Sequence, residues 1–210
     1  MKRILCYGDS NTWGTRPDGL GRWGEDVRWP ARLATALGGG WRIIEEGCGA
    51  RTAAHEDPTS PSKNGMLYLP PCLHSHRPLD GVILSLGTND LKLHFDLNAA
   101  EIAAGVGELV RLVQTYPYGY DYAAPQILVI VPAPLGVGIQ DSKFGPNFNE
   151  KSLEVSHHLG PAYEAMAQEL GVALLNASDY ATPGPDQLHY DHDSHMRLAD
   201  AIYAVVAHLF

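Results

Sequence analysis

The stretch Lys2-Arg3-Ile4-Leu5-Cys6-Tyr7-Gly8-Asp9-Ser10-Asn11-Thr12-Trp13-Gly14 decides how the rest of the chain is read. Ile4 to Tyr7 is a short apolar run with a β-branched and an aromatic member, and Gly8 ends it. A run of that kind, cut off by glycine, reads as a buried parallel strand. Gly8-Asp9-Ser10 then sets a hydroxyl at the carboxyl edge of a sheet, where open α/β folds bind their ligands.

Working outward, the same alternation recurs. Val27 to Leu37 carries apolar residues at helical spacing and stops at Gly38-Gly39-Gly40. Trp41 to Glu45 reads as a second strand, closing on Gly47-Cys48-Gly49-Ala50-Arg51-Thr52, and residues 53–65 as a surface loop. Leu67 to His76 is ambiguous, a short helix interrupted by Pro70-Pro71. Asp80 to Leu86 is the cleanest buried strand and runs into Gly87-Thr88-Asn89-Asp90. Asn98 and Glu101 have the spacing of a capping box before a helix whose apolar face is Ile102, Val106, Leu109, Val110 and Val113. Gln126–Val131 is a fourth strand, 132–147 a long loop, 149–170 one helical stretch, and Val172–Asn176 a fifth strand. A loop over 182–189 precedes a final amphipathic helix, 193–209. Five strands separated by helices, with no repeat and no linker, predict one domain over 1–210: α/β, a three-layer α/β/α, flavodoxin-like five-stranded parallel sheet.

A chain of 210 residues with 45% hydrophobic and 19% charged residues is long and apolar enough for one well-buried core. Its net charge of −9 argues against a nucleic-acid or anionic-membrane surface. No apolar run approaches the roughly 18 residues of a membrane span, and the first residues enter a strand directly. A soluble, cytoplasmic protein is therefore expected. Cys6, Cys48 and Cys72 lack C-x-x-C spacing and read as buried thiols rather than bridges or ligands.

Four strand ends carry residues suited to chemistry. Ser10 is a weak nucleophile unless a positioned base takes its proton, and Gly8-Asp9-Ser10 alone also suits an ordinary capped turn. Asp186 and His189, three apart in the loop after the fifth strand, can present a carboxylate to an imidazole whose other nitrogen faces a serine. Asn89 is either an amide donor to an oxyanion or a turn-forming cap. Gly49-Ala50 offers a backbone N–H beside a ligand or simply a tight turn. Asp191, His192, Asp193 and His195 suggest a metal cluster as a rival, but zinc sites draw on a defined pair plus a distant element, and no metal is expected here. A nucleophile, two oxyanion donors and an Asp–His pair at separate strand ends are hard to explain as turn chemistry.

These blocks resemble the SGNH, or GDSL, hydrolases over nearly the whole chain. Gly8-Asp9-Ser10 is similar to that family's first block, Gly87-Thr88-Asn89-Asp90 to its G-x-N-D block, and Asp186 with His189 to its D-x-x-H block. Ala50 stands where the second block normally has glycine; a backbone N–H does the work there, so the donor survives while φ is restricted. Gly8 to Gly14, Val27-Arg28-Trp29, Glu45-Glu46-Gly47 with Ala50-Arg51-Thr52, and Asn64-Gly65 with Tyr68-Leu69-Pro70 resemble the bacterial arylesterase branch, some of whose members also transfer acyl groups in water. The resemblance implies a catalytic triad of Ser10, His189 and Asp186, and an oxyanion hole of Ser10, Ala50 and Asn89. It implies no metal or organic cofactor. Short acyl esters of aryl or small alcohols are the substrates expected, with acetylated sugars as the alternative. Trp13, Leu135 and Val137 are expected to line the substrate pocket, and Arg51 to pair with a nearby carboxylate. The partners expected are a small-molecule ester and further copies of the chain as a homo-oligomer. The rival outside enzymology is a flavodoxin-like binding module, which would leave the Asp186–His189 pair unexplained.

Overall fold

Alternating side chains give each strand two apolar faces, and both are covered. The computed structural model describes residues 1–210, with β1 (Lys2–Gly8), β2 (Trp41–Gly47), β3 (Gly81–Ser85), β4 (Gln126–Val131) and β5 (Ala173–Asn176) forming one sheet. The strands are all parallel, in the order β2-β1-β3-β4-β5. Leu5, Tyr7, Val82, Leu84, Ile127 and Val129 point into the larger core, with Leu69, Val106, Leu109 and Tyr163 packed on them. Ile4, Cys6, Ile83, Leu128 and Ile130 point the other way, against Leu33, Leu198, Ile202 and Val206. The helices follow this division. α3 (Gly65–His76), α4 (Ala99–Thr115), α5 (Glu150–His157) and α6 (Leu159–Leu170) lie over one face, and α2 (Trp29–Leu37) and α7 (His192–Leu209) over the other. The result is the three-layer α/β/α arrangement, with the switch in strand order between β1 and β3 placing Ser10 at the crevice of the carboxyl edge.

Local chemistry accounts for the element boundaries. Asn98 accepts from the Glu101 N–H while Glu101 reaches back to the Asn98 N–H, the reciprocal cap expected from their spacing. α3 runs through Pro70 and Pro71 instead of breaking there. Asn64 caps it, and burial of Leu69, Cys72 and Leu73 outweighs the two missing N–H donors. The stretch expected as one helix over 149–170 is two, because Pro161 has no N–H to give to the preceding turn and sits instead in the first turn of a new helix. Cys6 and Cys72 are buried thiols as expected. Cys48 is not: it lies just past β2 and is half-exposed, and all three are free.

Candidate active site

The turn after β1 is tighter than most residues allow. A Cβ on Gly8 would stand 2.0 Å from Thr12 Oγ1 and 2.7 Å from the Ser85 carbonyl of β3, so only glycine fits. Asp9 follows, fully buried, and its carboxylate accepts the Asn11 N–H at 2.9 Å, which caps the single-turn helix α1 (Ser10–Trp13). Burial pushes the Asp9 carboxyl up to about 6, against the Asn11 N–H, the His189 charge and a bond from Thr88. Ser10 is therefore the first residue of α1, where an N–H has no intrahelical acceptor.

The other half of the site comes from the loop after β5. Asp186 Oδ1 accepts the N–H groups of Leu188 (3.1 Å) and His189 (2.9 Å), closing a turn through Gln187 at φ +67°. That turn leaves Asp186 Oδ2 2.7 Å from His189 Nδ1, and His189 Nε2 3.0 Å from Ser10 Oγ. Burial raises the Asp186 carboxyl, but the bonds from the His189 ring and the two N–H groups more than reverse this and hold it below its usual range. A hydroxyl, an imidazole and a carboxylate are thus joined in one hydrogen-bonded line, all three residues buried.

Asn11, which no sequence signal singled out, joins the two halves. Its side chain accepts the Tyr190 N–H at 3.0 Å and donates to the Leu188 carbonyl, fastening α1 to the histidine loop 179 residues away in sequence. Phe144 from the 132–149 loop sets its ring edge-on to His189, centroids 5.5 Å apart, and Lys143 Nζ lies 3.9 Å from Asp186 Oδ2.

Asn89 and Ala50 meet the same edge. Gly87 turns the chain after β3 at φ +120°, and a Cβ there would strike the Tyr163 hydroxyl at 2.1 Å. Asn89 Nδ2 donates to the Arg51 carbonyl at 3.1 Å, leaving its second amide hydrogen unassigned. Asp90 accepts the Ala53 N–H through both oxygens, at 3.1 and 3.0 Å. The Asn-Asp pair thus clamps the 50–53 segment rather than merely capping a turn. Ala50 is left-handed, at φ +64°, and its N–H donates to no protein acceptor. Arg51 does not form the expected ion pair. Its Nη1 donates to the carbonyl oxygens of Gly8 (3.0 Å) and Glu46, and its guanidinium lies 4.1 Å from the Tyr7 ring centroid.

The expected pocket residues are scattered. Trp13 is half-buried at the end of α1, with the Arg22 guanidinium 5.2 Å from its ring. Leu135 is 4% exposed within the larger core, and Val137 is 83% exposed. A cleft of about 330 Å³ lined by Leu91, Lys92, Leu97, Lys151 and Val155 includes neither Ser10 nor His189. The carboxyl-terminal histidines do not converge. His192 pairs with Asp193 at 2.8 Å, Asp191 caps α7 through the Ser194 N–H, and His195 is buried with Nδ1 on the Trp29 N–H.

A parallel α/β/α sheet with a serine, histidine and aspartate in line at its carboxyl edge defines a class of hydrolase. Residues 6–205 match the model of the GDSL-like lipase/acylhydrolase family. The chain belongs to that family, the SGNH hydrolases, and is a carboxylic ester hydrolase. Among solved structures it is similar to Est24, a carbohydrate acetylesterase from Sinorhizobium meliloti, at 40% identity and TM-score 0.93. It is also similar to the aryl esterase of M. smegmatis at 39% identity and TM-score 0.91. A third relative is a putative arylesterase from Agrobacterium tumefaciens, at 34% identity and TM-score 0.91. In each pairing both chains are covered completely. No curated protein matches the chain in sequence comparison. No helix is long and apolar enough to cross a membrane.

Proposed function

We propose that this esterase cleaves short-chain, acetyl-type esters of aryl or small alcohols through an acyl-enzyme on Ser10. The observation that carries the reading is the line Ser10 Oγ–His189 Nε2–His189 Nδ1–Asp186 Oδ2, at 3.0 and 2.7 Å. His189 takes the Ser10 proton as Oγ attacks the ester carbonyl, and Asp186 steadies the imidazolium that forms. The Ser10 and Ala50 N–H groups and the free Asn89 amide hydrogen receive the oxyanion, each worth about 3 kcal/mol by analogy with measured oxyanion donors. His189 then protonates the departing alkoxide, and the acyl-enzyme passes to water or to a second alcohol. The Phe144 ring against His189 favours an apolar acyl or aryl group beside the nucleophile. Three free thiols suit a reducing compartment, and we assign the enzyme to the cytoplasm.

A second reading, deacetylation of sugars, is favoured by the likeness to the S. meliloti carbohydrate acetylesterase. Rates on p-nitrophenyl acetate, butyrate and octanoate, beside acetylated xylose, separate the two. The aryl reading expects kcat/KM to fall with chain length and to exceed that on the sugar acetate. A higher value on the sugar acetate would transfer the assignment. Added alcohol that diverts acyl groups into a new ester would establish the transferase activity, and unchanged product distribution would dismiss it.

A further inference from the structure

We propose that Glu46, Cys72 and His76 form a binding site for a divalent ion of the zinc class, separate from the reacting residues. Cys72 and His76 are four apart on α3, so their side chains leave the same helix face. Glu46 is the penultimate residue of the edge strand β2 and, like Ile44, points toward the face that α3 covers. The strand and the helix thereby bring a carboxylate oxygen, a thiol sulfur and an imidazole nitrogen within 4.8 Å of one another. An i, i+4 pair on a helix plus one distant ligand is the usual construction of a zinc site, and three protein ligands leave a fourth position open. Sulfur with nitrogen and one carboxylate selects zinc or cobalt over magnesium or calcium, which require oxygen cages.

The surroundings suit an ion. Cys72 is buried, whereas the Glu46 and His76 side chains are 21% and 30% exposed, so an ion has a path from solvent to the sulfur. The nearby Glu46 charge pushes the Tyr68 phenol up, and Arg51 Nη1 donates to the Glu46 carbonyl, fixing the strand end from outside. Glu46 and a Cys72 thiolate together balance a dication, so the Arg51 guanidinium faces a neutral unit. Without an ion, burial and the Glu46 charge push the Cys72 thiol up to about 12, while Arg51 opposes them. His76 Nε2–H then donates to Glu46 Oε1 at 2.9 Å. On binding, the Cys72 S–H bond breaks, its proton leaves to solvent and a metal–sulfur bond replaces it; the hydrogen on His76 Nε2 is replaced by one on Nδ1, which frees the Nε2 lone pair for the ion. None of the three residues is hydrogen-bonded to Ser10, Asp186 or His189, so the ion takes no part in acyl transfer.

The test is a titration of the full chain, freed of metal, with Co²⁺, read by the thiolate-to-cobalt charge-transfer absorption in the near ultraviolet. The expected result is a band that saturates at one equivalent and is bleached by Zn²⁺. It should vanish in Cys72→Ser, persist in Cys48→Ser, and need at least about tenfold more cobalt in His76→Gln, no less than the loss of an outer-sphere partner costs. His76 is partly exposed, so its variant carries the test should Cys72→Ser fail to fold. No band, a band that survives Cys72→Ser, or an unchanged titration in His76→Gln overturns the site.

Discussion

His195 gives the most quantitative test of how this fold responds to acid. Its ring is fully buried, Nδ1 accepts the Trp29 N–H, and Nε2 has no partner. Burial, with His189 and His192 adding to it and Asp191 opposing, lowers its pKa from 6.5 to about 3. A histidine depressed in the folded state stabilises fully above its unfolded pKa, and that stability is lost as pH falls toward the folded value. Between about pH 7 and about pH 4.5 the unfolded chain gains a proton that the native chain refuses, which removes about 2 to 3 kcal/mol. Asp9 has the opposite sign. Its folded pKa of about 6 lies above the ordinary 3.8, so the native state gains a proton first and recovers about 2 kcal/mol over the same interval. The wild type should therefore lose little from this pair. In His195→Leu only the Asp9 contribution remains, so the variant's stability change from pH 7 to pH 4.5 should be more favourable than the wild type's by about 2 to 3 kcal/mol. The constant cost of the substitution cancels in that comparison. Urea unfolding of both proteins at the two pH values measures it, and a difference below about 0.5 kcal/mol would refute a buried neutral His195.

Three substitutions test the remaining geometry. Asp186→Asn should keep the fold and lower kcat by about 10⁴-fold, because the imidazolium loses its counter-charge; a loss under about tenfold would remove Asp186 from the triad. Asn89→Ala should lower kcat by about 10²- to 10³-fold with little change in KM, whereas an effect on KM alone would make Asn89 a ground-state contact. Ala50→Gly relieves the left-handed backbone at φ +64° and should raise stability by about 1 kcal/mol while keeping activity within about twofold, since the N–H donor stays. A destabilised Ala50→Gly protein in thermal melts would contradict the strain.

Strands were the legible part of this chain for a physical reason. Parallel strands buried on both faces are continuous apolar runs, and β4 falls on Gln126–Val131 as read. Ser10 was legible because it lies two residues past the end of β1, and Asp186 and His189 because a carboxylate and an imidazole three residues apart form a local pattern in the loop after β5. Glycine spacing marked the 50 and 89 turns in the same way. Contacts distant in sequence were not legible. The bond from Asn11 to Tyr190 spans 179 residues and that from Asp90 to Ala53 spans 37, and neither leaves any local pattern. Arg51 misled because sequence shows its charge but not the carbonyl oxygens of Gly8 and Glu46 that hold it. α3 was obscured by Pro70 and Pro71, since propensity speaks only of the lost N–H groups and not of the buried Leu69 and Leu73.

The central claim is that Ser10 is the nucleophile of a metal-independent acyl transfer. Hydrolysis of p-nitrophenyl acetate by the wild type and by Ser10→Ala, each with and without chelator, tests it most directly. Turnover by the wild type that chelator leaves unchanged, with the variant at background, is the predicted result. Equal rates in the two proteins, or loss of wild-type turnover with chelator, would contradict it.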